Sequence, residues 1–321
     1  MNIEKKTMRD VFIERIYYRM FEDKTLFFLT ADFGSPKLDK LRKDFGDRFI
    51  NIGIAEQNLI NVAIGMALEG FTIYAYAIAP FLIMRAYEQI RNNLSLLSHI
   101  HEVNVNLVGV GAGLSYDVSG PTHHSLEDIS IIRTLPNISI LSPSDWVLAE
   151  RFADYSIENK KPKYIRFDGK PLPNIYDSKD VINLQQGFSE LIEGEEICLV
   201  STGYMTHTAL KAADKLACDG VKTGIIDIFV IKPVHEDLFF QALSKYKHIV
   251  TIEEAFINKG GLDSLVMGIL NERGVNIRLT NKGFKDSYVF DIGSREYLHK
   301  LNNIDEKGIV EDVKRLLKAY R

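Results

Sequence analysis

The glutamate of FINIGIAEQNLINVAIGMALEG, Glu56, stands in the first turn of a predicted helix over residues 55–69 whose remaining face is almost wholly apolar. A helix N-terminus favours a carboxylate, and apolar neighbours would desolvate it. A carboxyl group so placed can share a proton with a ligand nitrogen. The same position also suits a glutamate that only complements the helix dipole. A second predicted helix, over 81–98, reads AIAPFLIMRAYEQIRNNLSLLSH, with Phe81, Met84, Tyr87 and Leu94 near helical spacing on the packed side and Arg85, Glu88 and Arg91 on the wetter side. Next, GVGAGLSYDVSGPTHHSLEDI joins a strand end to a helix over 125–133 through a glycine-rich loop, with His123 and His124 just ahead of that helix. Loops at the carboxyl ends of strands are where open α/β sheets bind ligands. The paired histidines suit hydrogen-bonding or acid/base roles and lack a third ligand at zinc spacing. A Walker loop, a strand-borne G-x-G-x-x-G, a G-x-S-x-G elbow and H-E-x-x-H are all absent from the sequence, and Gly260-Gly261 reads as a turn opening a helix.

The elements that must position these residues follow a βαβ rhythm. Strand-like runs TLFFLTAD, FTIYAYAI, VNVNLVGV, ISILSPSD and PKYIRF alternate with helical patterns, which predicts an α/β fold of mainly parallel sheets flanked by helices. A polar, proline-containing stretch, GKPLPNIYDSKDVINL, then separates a second α/β run containing EEICLVSTG, VKTGIIDIFVI, KHIVTIEEA and NIRLTNKGF. At roughly 150 residues per domain, 321 residues suggest two. The predicted bounds are 1–175 for the first domain, 176–185 for the linker and 186–321 for the second. Acidic residues number 43 against 39 basic, which argues against nucleic acid as the principal partner. Cys198 and Cys218, the sequence's only cysteines, are too few for a disulfide framework and read as buried. No apolar run is long enough to span a membrane, and a cytoplasmic location is expected.

In their order along the chain, GIAEQN, the F-x-x-x-RAYEQIR segment, SGPTHHSLEDI, ISILSPSD, KYIRF, STGYMTHTALKAA and IVTIEEA resemble the C-terminal half of the transketolase family, which includes the 1-deoxyxylulose-5-phosphate synthases. The resemblance spans essentially the whole chain and implies a pyrimidine-binding domain followed by a smaller C-terminal domain. The family holds the diphosphate of thiamine diphosphate and its magnesium on a G-D-G motif followed by Asn, and no G-D-G occurs here. The resemblance therefore implies one subunit of a split enzyme, inactive alone, with a partner supplying the G-D-G…N domain in an α2β2 assembly. Glu56 matches the glutamate that contacts the aminopyrimidine and promotes formation of its reactive tautomer. Phe81 matches the aromatic that stacks on the pyrimidine, with Arg85 and Tyr87 on the same cofactor side. His123 matches a residue that hydrogen-bonds substrate hydroxyls near the reacting carbon. Arg9 and Arg166 match arginines that bind sugar phosphates, and Ser35 and Ser119 join them on the substrate side. No metal ligand is expected on this chain.

Two positions depart from the family. A phosphate-binding histidine is replaced by Gly111, and an aspartate that touches an aldose hydroxyl is replaced by Ser119. Both lie on the substrate side, so thiamine chemistry is implied more firmly than any named sugar phosphate, and a modified or unphosphorylated keto sugar enters consideration. The expected activity is transfer of a two-carbon ketol unit from a ketose to an aldehyde. A 1-deoxyxylulose-5-phosphate synthase-like enzyme, a 2-oxoacid or acetoin dehydrogenase β subunit and a non-catalytic homologue are the alternatives. Glu253 and Glu254 read as strand-end polar residues at a domain contact.

Overall fold

Central strands covered on both faces read as continuous apolar runs, because neither side of the pleat meets water. LFFLT, TIYAYAI, NVNLVGV and KYIRF are such runs, and they form the middle of the first sheet. The computed structural model describes residues 4–318. Among these, seven strands lie side by side in the order Val230–Lys232, Ser139–Leu141, Lys163–Phe167, Asn104–Val110, Thr72–Ile78, Leu26–Thr30 and Phe49–Asn51. All pairs are parallel except the one made by Val230–Lys232. Helices Met8–Glu22, Pro36–Asp44 and Trp146–Glu158 cover one face, where Phe12, Phe28, Leu41 and Phe152 are buried. Helix Glu56–Leu68 and the segment after Phe81 cover the other, over Leu59, Ile83 and Leu107. Ser35 and Pro36 start the second of these helices, with Ser35 Oγ accepting from the Lys37 amide at 3.3 Å.

The second sheet has five strands in the order Arg278–Phe284, His248–Phe256, Ile197–Ser201, Gly224–Ile228 and Phe188–Ile192, with the last antiparallel. Two apolar layers flank it, one around Leu199, Leu216 and Val313 and the other around Val200, Phe239 and Val266. No helix among the described residues is long and apolar enough to cross a membrane.

Three expectations are corrected. VKTGIIDIFVI, expected as one strand of the second domain, divides between two sheets: Gly224–Ile228 stays, and Val230–Lys232 crosses to the edge of the first sheet. The cause is Phe229, which is buried in the first core 6.3 Å from the rings of both Phe152 and Tyr176. Leu114 and Leu126 make the reverse exchange, packing into the second core. The helix expected over 81–98 is instead two π-helical stretches, Phe81–Arg85 and Ile90–Leu96, around a single α-helical turn. The widened turns take residues off the α-helical register, so Met84 is 38 % exposed and Phe81 and Tyr87 are half-buried, while Leu94 is buried. Finally, both cysteines are free but only Cys198 is buried; Cys218 is exposed at the end of helix Tyr204–Cys218.

The halves are locked by buried charge. Arg295, 2 % exposed, donates through Nε to Glu254 at 2.7 Å, through Nη2 to Glu254 again and through Nη1 to Asp168. Its backbone amide donates to Asp117 at 2.7 Å, and its guanidinium lies 3.6 Å from the Tyr204 ring centre. Asp117 and Asp168 come from the first half, the remainder from the second. Burial alone would raise the Glu254 carboxyl, but the charge and hydrogen bonds of Arg295 override it and hold the group well below the usual carboxylate range. Glu253 instead accepts from the Leu262 and Asp263 amides at 2.9 and 3.1 Å and so starts helix Leu262–Glu272. Gly261 is required there, since a Cβ would sit 2.4 Å from Glu253 Oε2.

Candidate active site

The chain leaves strand Leu26–Thr30 toward Phe49–Asn51 on one side and returns to Thr72–Ile78 on the other, so the loops at the carboxyl ends of these two strands diverge. Such a switch point opens a crevice for ligands. Ala31–Ser35 follow the first strand end and Phe81 the second, while Gly111 follows Asn104–Val110 and Asp168-Gly169 follow Lys163–Phe167. Glu56, on the helix after Phe49–Asn51, completes the rim.

The residues form a continuous row. The Glu56 carboxylate is 3 % exposed in the first turn of its helix, and Arg85 Nη1 donates to it at 2.6 Å. The Arg85 side chain is 48 % exposed and lies 5.0 Å from the Phe81 ring centre, the i to i+4 pairing within one π-helical stretch. Phe81 meets the His123 ring edge-on at 5.2 Å, and the Tyr116 ring stands perpendicular to the same imidazole at 6.5 Å. Tyr116 in turn interacts with Arg9, and burial raises its phenol. Arg9 Nε donates to Asp10 at 2.8 Å, and the same oxygen accepts from Ser35 Oγ at 2.9 Å. Burial would raise the Asp10 carboxyl, but Arg9 and neighbouring hydroxyls lower it, so the pair is charged. Glu56, Arg85, Phe81, His123, Arg9 and Ser35 are thus brought together, at one end of one sheet.

Three other expected site residues lie outside this row. The Tyr87 hydroxyl is 2.8 Å from Thr134 Oγ1, pinned to the chain after helix Asp128–Arg133. Ser119 is exposed in the turn Asp117–Ser119 and is tied to the site only through its amide, which donates to the Tyr116 carbonyl at 3.0 Å. Arg166 is turned inward: Nε and Nη2 donate to Asp128 at 2.9 and 3.2 Å, and Nη1 to Ser142 Oγ at 3.3 Å. It is 5 % exposed. A phosphate would have to break a buried ion pair to reach it, so the structure places Arg166 as an interior cation.

Residues that sequence reasoning passed over complete the row. Asp10 neutralises Arg9, and adjacency in the sequence was its available signal. Tyr76, fully buried, interacts with Arg9, and burial raises its phenol. Gln89 lines a hollow of about 490 Å³ with Glu56, Asn61 and Arg85, and its buried Oε1 has no hydrogen-bond partner among the described residues. Tyr116 is held between two glycines: a Cβ on Gly111, at φ +104°, would lie 2.4 Å from its ring, and one on Gly169 would lie 3.0 Å away.

Perturbed groups elsewhere are structural by position. Lys163, buried and pushed well down by desolvation, begins its strand at the opposite end of the sheet and donates to Asn104 at 2.9 Å. Asp227, pushed up to about 6 by burial, accepts from Ser144, Tyr176 and Thr206 and joins the halves. A cleft of about 1040 Å³ lies between the linker and helix Tyr204–Cys218 and includes neither Glu56 nor His123. Its size is a gap between elements, with Lys211 beside Asp214 and Lys170 paired to Asp117 on its wall.

Residues 4–173 match the pyrimidine-binding domain of transketolase and residues 189–309 its C-terminal domain. An apulose-4-phosphate transketolase subunit from Actinobacillus succinogenes is 34% identical over 305 residues, covering 95% of this chain and 96% of that protein. A 6-deoxy-6-sulfo-D-fructose transketolase subunit from a Clostridium species is 27% identical, covering 97% and 94%. The 1-deoxy-D-xylulose-5-phosphate synthase of Aquifex aeolicus is 30% identical over 88% of this chain, which spans 44% of that protein. A solved split-gene transketolase, an inactive β4 tetramer, superposes with a TM-score of 0.86 at 28% identity, over 98% of this chain and 99% of that one. With its two domains in this order and its length matched to such subunits, the chain belongs to the transketolase family and corresponds to the polypeptide of split transketolases that carries these two domains.

Proposed function

We propose that this chain is the C-terminal subunit of a thiamine diphosphate-dependent enzyme that moves a two-carbon ketol unit from a ketose to an aldehyde, working with a second polypeptide that holds the diphosphate and magnesium. The observation that carries this reading is the row from Glu56 to Arg9, which sets a buried carboxylate, an aromatic face, an imidazole and a cation along one crevice.

The residues present fit an aminopyrimidine. Its ring nitrogen needs a carboxyl partner, its amino group an acceptor and its flat face an apolar ring; Glu56, the orphaned Gln89 oxygen and half-buried Phe81 answer these in turn. When bound, the thiazolium supplies the electron sink that makes cleavage next to a carbonyl accessible. Glu56 shares a proton at its carboxylate oxygen, in a helix turn whose dipole stabilises the charge. His123 Nδ1 lies 3.1 Å from Thr122 Oγ1, which leaves Nε2 to exchange a proton with a substrate hydroxyl. Phe81 and Tyr116 both pack against the imidazole, and Arg9 orients the far end of the sugar. By their names, two relatives act on a phosphorylated sugar and a sulfonated one, which supports ketol transfer on an unusual sugar and leaves the terminal group to the local residues.

The test is recovery of the tagged chain with its partners from its own cell. A stoichiometric partner bearing a G-D-G…N motif is expected, and the complex, unlike the chain alone, should bind thiamine diphosphate and turn over a ketose with an aldehyde when magnesium is present. A stoichiometric complex that binds no thiamine diphosphate would defeat the proposal.

A further inference from the structure

The far end of the crevice is short of uncompensated positive charge. A phosphate dianion carries almost two charges and three acceptor oxygens, so a protein pocket that selects it gathers several cationic donors. Among the described residues, Arg9 is the single cation in the row at that end, and Asp10 already shares it at 2.8 Å. Nearby cations are committed elsewhere: Arg166 to Asp128, Lys170 to Asp117, and Arg295 to Asp168 and Glu254. Gly111 offers no side chain, and its space is taken by the Tyr116 ring, which also seats on Gly169. The fit is two-sided, since any side chain at 111 would collide with the ring and Gly111 holds a positive φ.

We propose that Tyr116, seated between Gly111 and Gly169 beside Arg9, is a specificity-determining residue that selects sugars ending in an uncharged or singly charged group over those ending in a phosphate dianion. This rests on the ketol-transfer reading and adds the substrate class to it. A dianion entering here would give up its hydration for one half-neutralised guanidinium, whereas a hydroxyl or a monoanion is satisfied by Arg9 and the Tyr116 hydroxyl.

The test uses the complete enzyme, with its partner chain, thiamine diphosphate and magnesium. D-xylulose and D-xylulose 5-phosphate serve as donors to glycolaldehyde, each kcat/KM being expressed per open-chain sugar. The unphosphorylated sugar is expected to be favoured by about tenfold or more, with the difference in KM. In the double variant Gly111→His/Tyr116→Leu, the ratio should move toward the phosphate by about tenfold. Equal use of the two sugars by the wild-type enzyme, or a preference for the phosphate, overturns the inference while leaving ketol transfer intact. A double variant that folds, by its circular dichroism, yet keeps the wild-type ratio also overturns it; one that does not fold leaves the wild-type ratio to decide. Turnover of neither sugar by a complex that takes up no thiamine diphosphate removes the ketol-transfer reading, and this inference with it.

Discussion

Glu56→Gln, assembled with the partner subunit, should lose about 10²–10⁴-fold in turnover, the range for removing a positioned acid/base group. The substitution keeps the size of the side chain and the helix start, and removes the ability to share a proton together with the charge facing Arg85. Its effect on stability should be small. The amide oxygen of the variant can still accept from Arg85, whose side chain is half exposed, so the buried position keeps a hydrogen-bond partner. Turnover and thermal denaturation measured on the same complex therefore separate a chemical role from a structural one. A variant with near-normal turnover would show Glu56 to be a dipole-complementing residue only. A variant whose melting falls as sharply as its turnover would make it a folding residue.

Arg295→Met should destabilise the chain by about 3–5 kcal/mol, because it takes the guanidinium from two buried carboxylates and leaves Glu254 to His299 and Asp168 to the Lys170 amide. Glu254 loses two hydrogen bonds and Asp168 one, and each carboxylate is at most 6 % exposed. Against a typical total of about 5–15 kcal/mol, this places the variant near the limit of folding. Urea denaturation monitored by circular dichroism measures the loss, and Glu254→Gln in the same chain should restore part of it. The pH dependence carries a second signature. Because Arg295 holds the Glu254 carboxyl below its ordinary value of 4.5, this group stabilises the wild type above that value, and the contribution is lost as pH falls through the depressed pKa. In the variant the lowering by Arg295 is gone and His299 remains to oppose burial, so the carboxyl takes up its proton at a higher pH than in the wild type and acidification costs the variant less. The gap between the two proteins should narrow from pH 7 toward pH 4; a constant gap would mean that the charge of Arg295 is not what matters.

Much of this candidate site could be placed from the sequence because its information is local. GIAEQ places a carboxylate at a helix start, and GPTH places an imidazole at a loop before a helix; both depend on residues adjacent in sequence. The alternation of apolar runs with helical patterns likewise specified two α/β units. What was not legible depends on partners distant in the chain. Arg166 shows this well. Strand side chains alternate faces, so Tyr164 and Arg166 share one side, and both reach Asp128, at 2.6 and 2.9 Å. The strand was readable, but which of its faces looked toward the crevice was not. Tyr116 filling the space over Gly111, and Arg295 reaching three carboxylates from a distant helix, are similarly consequences of tertiary placement. The widened turns after Phe81 escaped because a stripe of apolar residues at 3.6-residue spacing does not report a change of helical pitch.

Val230–Lys232 lends a wider meaning to the division between the domains. A strand that belongs by sequence to the second unit completes the sheet of the first, and Leu114 and Leu126 are embedded in the opposite core. The peptide link through the exposed Val181 is then the least of the bonds between the halves. A protease cut there would leave two fragments that stay clasped and melt together, and neither fragment would be a domain in the sense of something that folds by itself.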